Sequence, residues 1–599
     1  MNTRRGGRLG GSCSERPTAA TAWVGAAAAL LLGTAAAGAT GCGHEEPMPP
    51  PDPTDPTAVL FDPAHVVEVA ITMPPADWDA LRYQTRDLLD ILGGQCLAEP
   101  FPSPFTYFMG NVTVDGEART DVGVRKKGFL GSLDDVKPSL KLKFDEYVLD
   151  GSLYGLDRLT LNNSKQDPSF VHQCLAYAVF AEAGLASPRC NFAHVTVNGE
   201  DMGLYVNVES VDKDFLKRWY ADEDGNLYEG TLSDFRPEWI NTFDKKTNEM
   251  DPDRSDLDLV VAALDDATVS DAALYDSVSS VVDLDEFFTF WATEVIIHHW
   301  DGYANNTNNF YVYHDPTIDR FVFMPWGVDG VFQPDPFAGG MQPPTSVYAT
   351  GVLARRLYLA PDTQAMYLDR LRSVLDDAWH ENAMQAEIDR MEALITPVIE
   401  AAGGAAAVDQ AAGAIDEARD FVTTRRGAIL AEINAGTPAW TAPLRDPPCF
   451  DVIGDTSGTF STTFGTVNAP NPFATGSGTL TGTLNMVALG PYTSMGATSG
   501  FDPNDTTGNP PATVTLFGMR ADGTIDLAFL SIDPALFAGG TAVPLDWGAA
   551  FGALAHFDPA TMSFTVTGYI FNGVVQLDEG ATVMDAPVSG SFSGQVVFF

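Results

Sequence analysis

The chain has 599 residues, with 80 Asp and Glu against 34 Lys and Arg and a formal charge of −46 at neutral pH. That length exceeds what one hydrophobic core supports and points to several domains. Acid in such excess excludes broad binding to nucleic acid or anionic lipid, since phosphate binding needs clustered Lys and Arg.

In chain order the first element is a targeting segment. Arg4, Arg5, Arg8 and Arg16 form a basic n-region, AAAALLLGTAAAGA an apolar h-region, and ATGC at 39–42 resembles a lipoprotein box, with Ala39 where such boxes usually have Leu. Residues 1–41 are expected to be a signal peptide, leaving Cys42 as the lipidated N-terminus; the alternative is an ordinary secretory peptide cleaved near Ala37 or Ala39. Either way the expectation is an exported protein, and under the first reading a membrane-anchored lipoprotein of the cell envelope. The h-region is short and Ala-rich for a membrane span. Residues 1–41 hold four Arg and one Glu, so the mature chain sits near −49, a charge that favours divalent cations. HEEPMPPPDPTDPT reads as a stiff Pro-rich tether, and 42–60 is expected to be linker. Past Cys42 remain Cys96, Cys174, Cys190 and Cys449. None has zinc-ligand spacing, and export makes disulfides the expectation. Three pairings are open, of which Cys174 with Cys190 is the most local.

From Phe61 the pattern is mixed, and the fold class is α+β. HVVEVAITM places Val67, Val69, Ile71 and Met73 on one face of a strand, and PPADWDALR follows as a helix with Pro in its first turn. Residues 107–163 are strand-rich. DPSFVHQCLAYAVFAEAGL (167–185) reads as a helix with Asp167 as N-cap, Pro168 at the first helical position and Gly184 as the stop. FAHVTVNGEDMGLYVNVE is a hairpin turning at Asn198-Gly199. The 255–435 region is mostly helical, with Met384, Ile388, Met391 and Ile395 as a core-facing stripe. GTPAWTAPLRDPP (436–448) reads as a linker. Residues 449–599 turn to Thr, Gly and Phe with period-2 alternation, Val588, Phe592, Val596 and Phe598 sharing a face, and are expected to form an all-β sandwich or barrel of structural or adhesive character.

Chemistry concentrates in two stretches, HHWDGYANNTNNFYVY (298–313) and PWGVDGVF (325–332). A carboxylate and four asparagines between apolar runs need partners, because an unpaired buried polar group costs several kcal/mol, ~2–7 on transfer scales. Asp301, with Asn306 and Asn309 downstream, has the layout of a phosphotransfer loop in which Asp orients the acceptor hydroxyl and Asn holds Mg²⁺. Asp329, just after the second of two apolar strands, is placed to return over that loop as a metal ligand. Upstream, VRKKGFLGS (124–132) and KPSLKLKF gather Arg125, Lys126, Lys127, Lys137, Lys141 and Lys143 around Gly128. In so acidic a chain this cluster reads as an anion site, Gly allowing close backbone approach and a strand delivering a lysine charge.

Together VRKKG…KPSLKLKF, GLDRLTLNNSKQDPS, VTVNGEDMGLYVNVESVDKDFL, WDGYANNTNNFYVY and PWGVDGVF resemble, in order, the successive blocks of the spore coat protein H (CotH) kinase family over residues 61–435. The resemblance implies an atypical protein-kinase-like, two-lobed domain that moves the γ-phosphoryl of ATP, with Mg²⁺ or Mn²⁺, to Ser or Thr of a secreted or surface protein. It implies Asp301 as the catalytic Asp, Asn306 or Asn309 as a metal ligand, Asp329 as the principal metal ligand, and Lys141 or Lys143 as the phosphate lysine. Arg125, Lys127, Gly128 and Glu209 join the nucleotide site; Asn162, Asn163 and Asp167 match a further block. The chain departs from the family at Gly327, where Asp is usual, at His172, where Arg is usual, and at Phe129 and Leu130, where small polar residues are usual. The alternative these departures leave is a catalytically degenerate envelope protein with a structural or adhesive role. No nucleic-acid partner is expected, and membrane contact only through the lipid.

Overall fold

The computed structural model describes residues 55–599 except 87–90, 130, 266–269, 336–342, 504, 506–509, 547–548 and 599. The expected targeting segment, Cys42, most of the tether and Leu130 lie outside the described residues. The end of the expected tether is not solvated linker: Pro56–Phe61 forms a 3-10 turn capped by Asp55, and Leu60 is fully buried.

Alternating Val, Ile and Leu build a closed barrel. Strands β1 (Val66–Thr72), β2 (Phe108–Val114), β3 (Glu117–Lys127), β4 (Ser139–Lys143), β5 (Arg158–Asn162), β6 (Cys190–Val197) and β7 (Glu200–Val208) join in the order β1-β2-β3-β4-β5-β7-β6, and a parallel β1–β6 pairing closes the ring. Val67, Val69, Val112, Val122, Val124, Leu140, Leu142, Leu159 and Leu161 fill the inside. Period-2 alternation therefore turns Arg125, Lys127, Lys141, Lys143 and Arg158 outward on three adjacent strands. The β6–β7 turn has Asn198 and Gly199 at φ 53° and 82°, the left-handed pair that a two-residue hairpin needs.

A helical body packs on the outer faces of β6 and β7. Its helices are α1 (Pro75–Arg82, beside the barrel), α2 (His172–Glu182), α3 (Lys213–Trp219), α4 (Ser255–Asp265), α5 (Asp271–Ser279), α6 (Leu284–Ile296), the single turn α7 (Tyr303–Asn306), α8 (Val352–Leu359), α9 (Pro361–Asp377) and α10 (Glu381–Ala435). Within it a sheet of β8 (Asn226–Gly230), β9 (Asp244–Lys245), β10 (Phe310–Asp315) and β11 (Arg320–Pro325) runs in the order β11-β10-β8-β9. α2 ends as expected at Gly184 (φ 80°). It starts four residues later than expected, because Asp167 caps a preceding turn through Ser169 N while its other oxygen accepts from His172 N at 3.0 Å. α10 breaks at Gly404 (φ 68°), and its halves run back side by side, tied by Arg419 to Asp389 and Arg426 to Glu381. Met384, Ile388, Met391 and Ile395 are buried on its inner face.

Beyond α10, strands β12 (Asp451–Thr463), β13 (Ser477–Leu484), β14 (Val487–Ala488), β15 (Ser494–Phe501), β16 (Ala512–Met519), β17 (Ile525–Ile532), β18 (Thr541–Leu545), β19 (Ala550–Asp558), β20 (Ser563–Glu579) and β21 (Pro587–Phe598) form one ten-stranded sheet. The sheet curls over a single core, and Phe464, just past β12, bridges to Ser499 on the edge strand β15. Val588, Phe592 and Val596 face that core, whereas Phe598, at the strand's end, is 44% exposed.

Two disulfides form, Cys174–Cys190 joining α2 to β6 and Cys96–Cys449 joining the barrel side to the C-terminal sheet. Around the second, Ile91, Leu92, Leu232, Phe450, Phe571 and Val597 make a small core that docks the sheet onto the rest of the chain. Residues 436–448 are not a free linker. They form a strap on the helical body, with Trp440 in its core and Tyr358 donating to Pro438 O at 2.7 Å.

Candidate active site

The loop between α6 and β10 is held in an unusual backbone state. His298, Thr307 and Asn309 have φ of 59°, 50° and 52°, a left-handed conformation that costs roughly 1–2 kcal/mol for a residue other than Gly. Such strain persists where surrounding contacts over-determine it. Glu294, fully buried on α6, accepts the backbone N–H of Tyr303 and of Ala304, each at 2.9 Å. The approach is so close that a Cβ on Gly302 would lie 2.2 Å from Glu294 Oε1. Asp234 accepts from Val352 N and the Tyr303 hydroxyl, and burial pushes its carboxyl up to about 6. Thr307 O accepts from Ser233 N at 2.7 Å.

The loop presents Asp301. Its Oδ1 accepts from the side-chain amides of Asn306 at 2.5 Å and Asn308 at 3.1 Å, and its Oδ2 from Asn309 at 2.7 Å. Burial raises the carboxyl's pKa and the amide donors work against that rise. With every amide NH₂ turned to the carboxylate, the amide oxygens point elsewhere. Asn308 Oδ1 accepts from Leu232 N, and Asn306 Oδ1 is taken by Arg445. Of the two asparagines expected as metal ligands, Asn309 has a side-chain oxygen that meets no donor among the described residues, whereas that of Asn306 is taken.

β10 and β11 return the chain past this loop, as the sequence suggested, and bring Asp329 back to it. His172 Nδ1 lies 3.1 Å from the Asp329 carbonyl oxygen and 3.5 Å from Asp167 Oδ1, so the residue that departs from the family pattern tethers the Asp329 turn to the start of α2. Burial, with Asp301 and Asp167 nearby, pushes the Asp329 carboxyl up to about 6, and Lys127 opposes the rise. Gly327 has φ 54°, and a Cβ there would sit 2.6 Å from the Asn309 amide. The space a side chain would need is therefore filled by Asn309.

The barrel supplies the opposing wall. Lys127, the last residue of β3, donates to Asn162 Oδ1 at 2.6 Å, lies 5.4 Å from the Trp326 ring, and is brought down to about 8 by burial, with Asp329 and Glu229 opposing. Beside it Lys141 is brought down to about 7, by burial and then by Arg158, Arg125 and Lys246. Among the described residues the buried Nε atoms of Arg125 and Arg158 have no hydrogen-bond partner, though Arg158 Nη1 lies 3.8 Å from Asp212. Glu229 on β8 faces this group, paired to Lys246 at 2.7 Å and sharing a hydrogen bond with the Tyr311 hydroxyl, and the neighbouring cations hold its carboxyl low despite burial.

Other sequence candidates fall elsewhere. Lys143 is paired with Glu146 at 2.8 Å. Lys126 points into the barrel end, bound to Asp135 and the Arg82 carbonyl, and Lys137 donates to Leu204 O. Glu209 does not face the lysines: both oxygens are held by Arg189 and Arg218, and Arg189 reaches on to Asp55 at 2.7 Å, a four-member network around a buried carboxylate. Gly128 adopts φ 131° and gives its carbonyl to Arg86, and Phe129 packs on Phe101 under the Arg86 guanidinium. That apolar residue fastens the loop to the inter-domain core. Asn163 ties the β4 approach through Ser132 O and Lys137 O. Sequence reading missed Glu229, Tyr311, Trp326, Arg158, Lys246, Glu294 and Arg445, which carry no local motif.

Among the described residues no three His, Cys, Asp or Glu side chains form a ready-made metal cage. The donor set fits a metal that shares its coordination with a ligand: Asp329, the oxygen of Asn309 and adjacent Asp301, near cations that outnumber the acids, Glu229 and Asp212, set against them.

Comparison with known proteins agrees with the order of these blocks. The family model described as CotH kinase protein matches residues 124–429. The inner spore coat protein H of Bacillus subtilis (strain 168) is 28% identical over 194 residues, 30% of this chain and 51% of that protein. The inner spore coat protein H-like protein of the same organism is 36% identical over 65 residues, 11% of this chain and 21% of that protein. The chain thus spans about half the length of the first relative and about a fifth of the second. With more than half of its residues under the family model, the chain belongs to the CotH kinase protein family.

Proposed function

We propose that the chain is an exported, lipid-anchored protein kinase that transfers the γ-phosphoryl group of ATP to Ser or Thr of a secreted or surface protein. One observation carries the reading. A strained, amide-clamped Asp301 lies near a second carboxylate, Asp329, and Asp329 near Lys127, while on the same barrel face Lys141, Arg125 and Arg158 crowd together against Glu229, and Asp212 pairs with Arg158, so that cations outnumber acids there. Orphaned buried guanidinium nitrogens at such a place suit a polyanion. Asp329 and Asn309 would hold Mg²⁺ or Mn²⁺, which when bound neutralises charge on the phosphates. Lys127, Lys141 and Arg125 would receive the phosphate oxygens. Asp301, fixed by three amides, would accept a hydrogen bond from the acceptor hydroxyl and set its direction, so that positioning and electrostatics supply the rate. Family membership and the names of the relatives support placing the protein in the cell envelope or a coat layer.

A second reading, a degenerate envelope protein, is favoured by the filled space beside Gly327, which leaves Asp329 without the neighbouring carboxylate usual in the family. Thermal unfolding of residues 43–599 with ATP and Mg²⁺ or Mn²⁺, beside Asp329→Ala, separates the two. The kinase reading requires a stabilisation that needs metal and nucleotide together and vanishes in the variant. No shift at millimolar nucleotide would favour the degenerate reading.

A further inference from the structure

We propose that Arg445, carried by the strap between the two domains, is a positioning residue of the active centre that turns the Asn306 amide toward Asp301. The inference rests on the kinase reading of Asp301, and it adds to that reading a residue outside the 124–429 family match. A carboxamide has one accepting end and one donating end. Asp301, an acceptor, takes the NH₂ of Asn306 at 2.5 Å, while the Arg445 guanidinium, only a donor, takes Asn306 Oδ1. The two partners together dictate which way the amide faces. The same guanidinium nitrogen donates to the Asn306 main-chain oxygen at 2.5 Å. That carbonyl ends the single turn α7, where carbonyls lack helical partners. Arg445 thus closes the C-terminal end of the turn whose N-terminal end Glu294 holds.

The strap is built to deliver this side chain. Pro438 O accepts from Tyr358, Trp440 stands edge-on to Tyr348 at 6.4 Å between ring centroids, and Ala442 O accepts from Arg355. Arg236 donates to the Arg445 carbonyl at 2.8 Å. Four residues on, Cys449 is bonded to Cys96, and Phe450 bridges to Gly93. Around the guanidinium stand Asp301 and Asp234, which attract it, and Arg236, which repels it. Loss of Arg445 takes the donor from both oxygens of Asn306, so the turn that carries the amide loosens and its NH₂ is held against Asp301 less firmly.

The test compares wild type, Arg445→Met and Arg445→Lys in the full exported chain. Hydrogen–deuterium exchange read by mass spectrometry should show residues 302–309 exchanging at least about tenfold faster in Arg445→Met, with peptides of β12–β21 unchanged and Arg445→Lys in between. With γ-labelled ATP, Arg445→Met should lower kcat about 10- to 100-fold with KM for Mg·ATP within about threefold, and Arg445→Lys should recover part of the rate. Unaltered exchange at 302–309, or an unaltered kcat in an active enzyme, would overturn the proposal. A wild-type chain that neither binds nor turns over nucleotide would defeat the kinase reading, and with it the catalytic part of this one. The exchange arm would still decide whether Arg445 holds the loop.

Discussion

Glu294 offers the sharpest quantitative test of how the active loop is held. Its carboxylate is fully buried, accepts two backbone N–H groups at 2.9 Å, and has His299 Nδ1 at 3.4 Å. Glu294→Ala leaves both amides of the α7 start buried without an acceptor, and each such loss costs about 1–3 kcal/mol. Against this stands the recovered cost of burying a charge, which cancels part of the loss. The net destabilisation should be about 2–4 kcal/mol, with Glu294→Gln, which keeps one acceptor but sets an NH₂ against the second N–H, at about half of that. Urea unfolding followed by tryptophan fluorescence measures it. The loop carries Trp300, buried against Gly330, so its transition reports the local loss as well as the global one. Both variants should also lose most of the stabilisation by Mg·ATP, because Asp301 rides on the same loop. A Glu294→Ala protein within about 0.5 kcal/mol of wild type would refute the reasoning, since only a surface position is expected to be so tolerant.

Other expectations follow from single contacts. Lys127→Ala should abolish the nucleotide-dependent thermal shift while Lys143→Ala, which breaks half-buried pairs with Glu146 and Asp145, leaves it within error. Glu209→Ala should destabilise by about 3 kcal/mol, the low end for breaking a buried pair, because it strands Arg218 while Arg189 keeps Asp55, yet the folded fraction should bind Mg·ATP with unchanged affinity in a calorimetric titration. His298 donates from Nδ1 to Gln333 O, and burial, helped by Arg425, brings its imidazole down to about 4 from the ordinary 6.5. The native state therefore binds fewer protons than the unfolded chain in that window, so this stability is present above pH 6.5 and lost as pH falls toward 4. The loss should be about 2–3 kcal/mol. His298→Asn, suited to φ 59°, should flatten the slope of the unfolding midpoint against pH.

What the sequence disclosed was whatever repeats locally. Alternation marked β1 and β21, Asn198-Gly199 marked the hairpin, and the Met384–Ile395 stripe marked the inner face of α10. The order of loop, hairpin and Asp329 was legible because it is a matter of spacing. The opposing wall was not, since only strand pairing across the barrel decides that Arg125 lies beside Lys141 and that Glu229 faces both. Lys141 and Lys143 share a face, yet Glu146 three residues on captures the second, a competition invisible to periodicity. Glu209 closes a strand as expected, but two arginines from other elements claim it. The Pro-rich 436–448 stretch suggested a linker by composition, and its Trp440 and Arg445 were the residues that fasten it.

The central claim is that one site holds nucleotide and metal together between Asp329, Asn309 and the barrel lysines. The most direct measurement is a crystal structure of residues 43–599 grown with Mn²⁺ and a non-hydrolysable ATP analogue, with anomalous data collected for manganese. The account requires an anomalous peak in contact with Asp329 and Asn309 Oδ1, and phosphates against Lys127, Lys141 and Arg125. Nucleotide bound away from Asp329, or a site in which Lys141 and Arg125 face only protein and solvent at millimolar analogue, would contradict it.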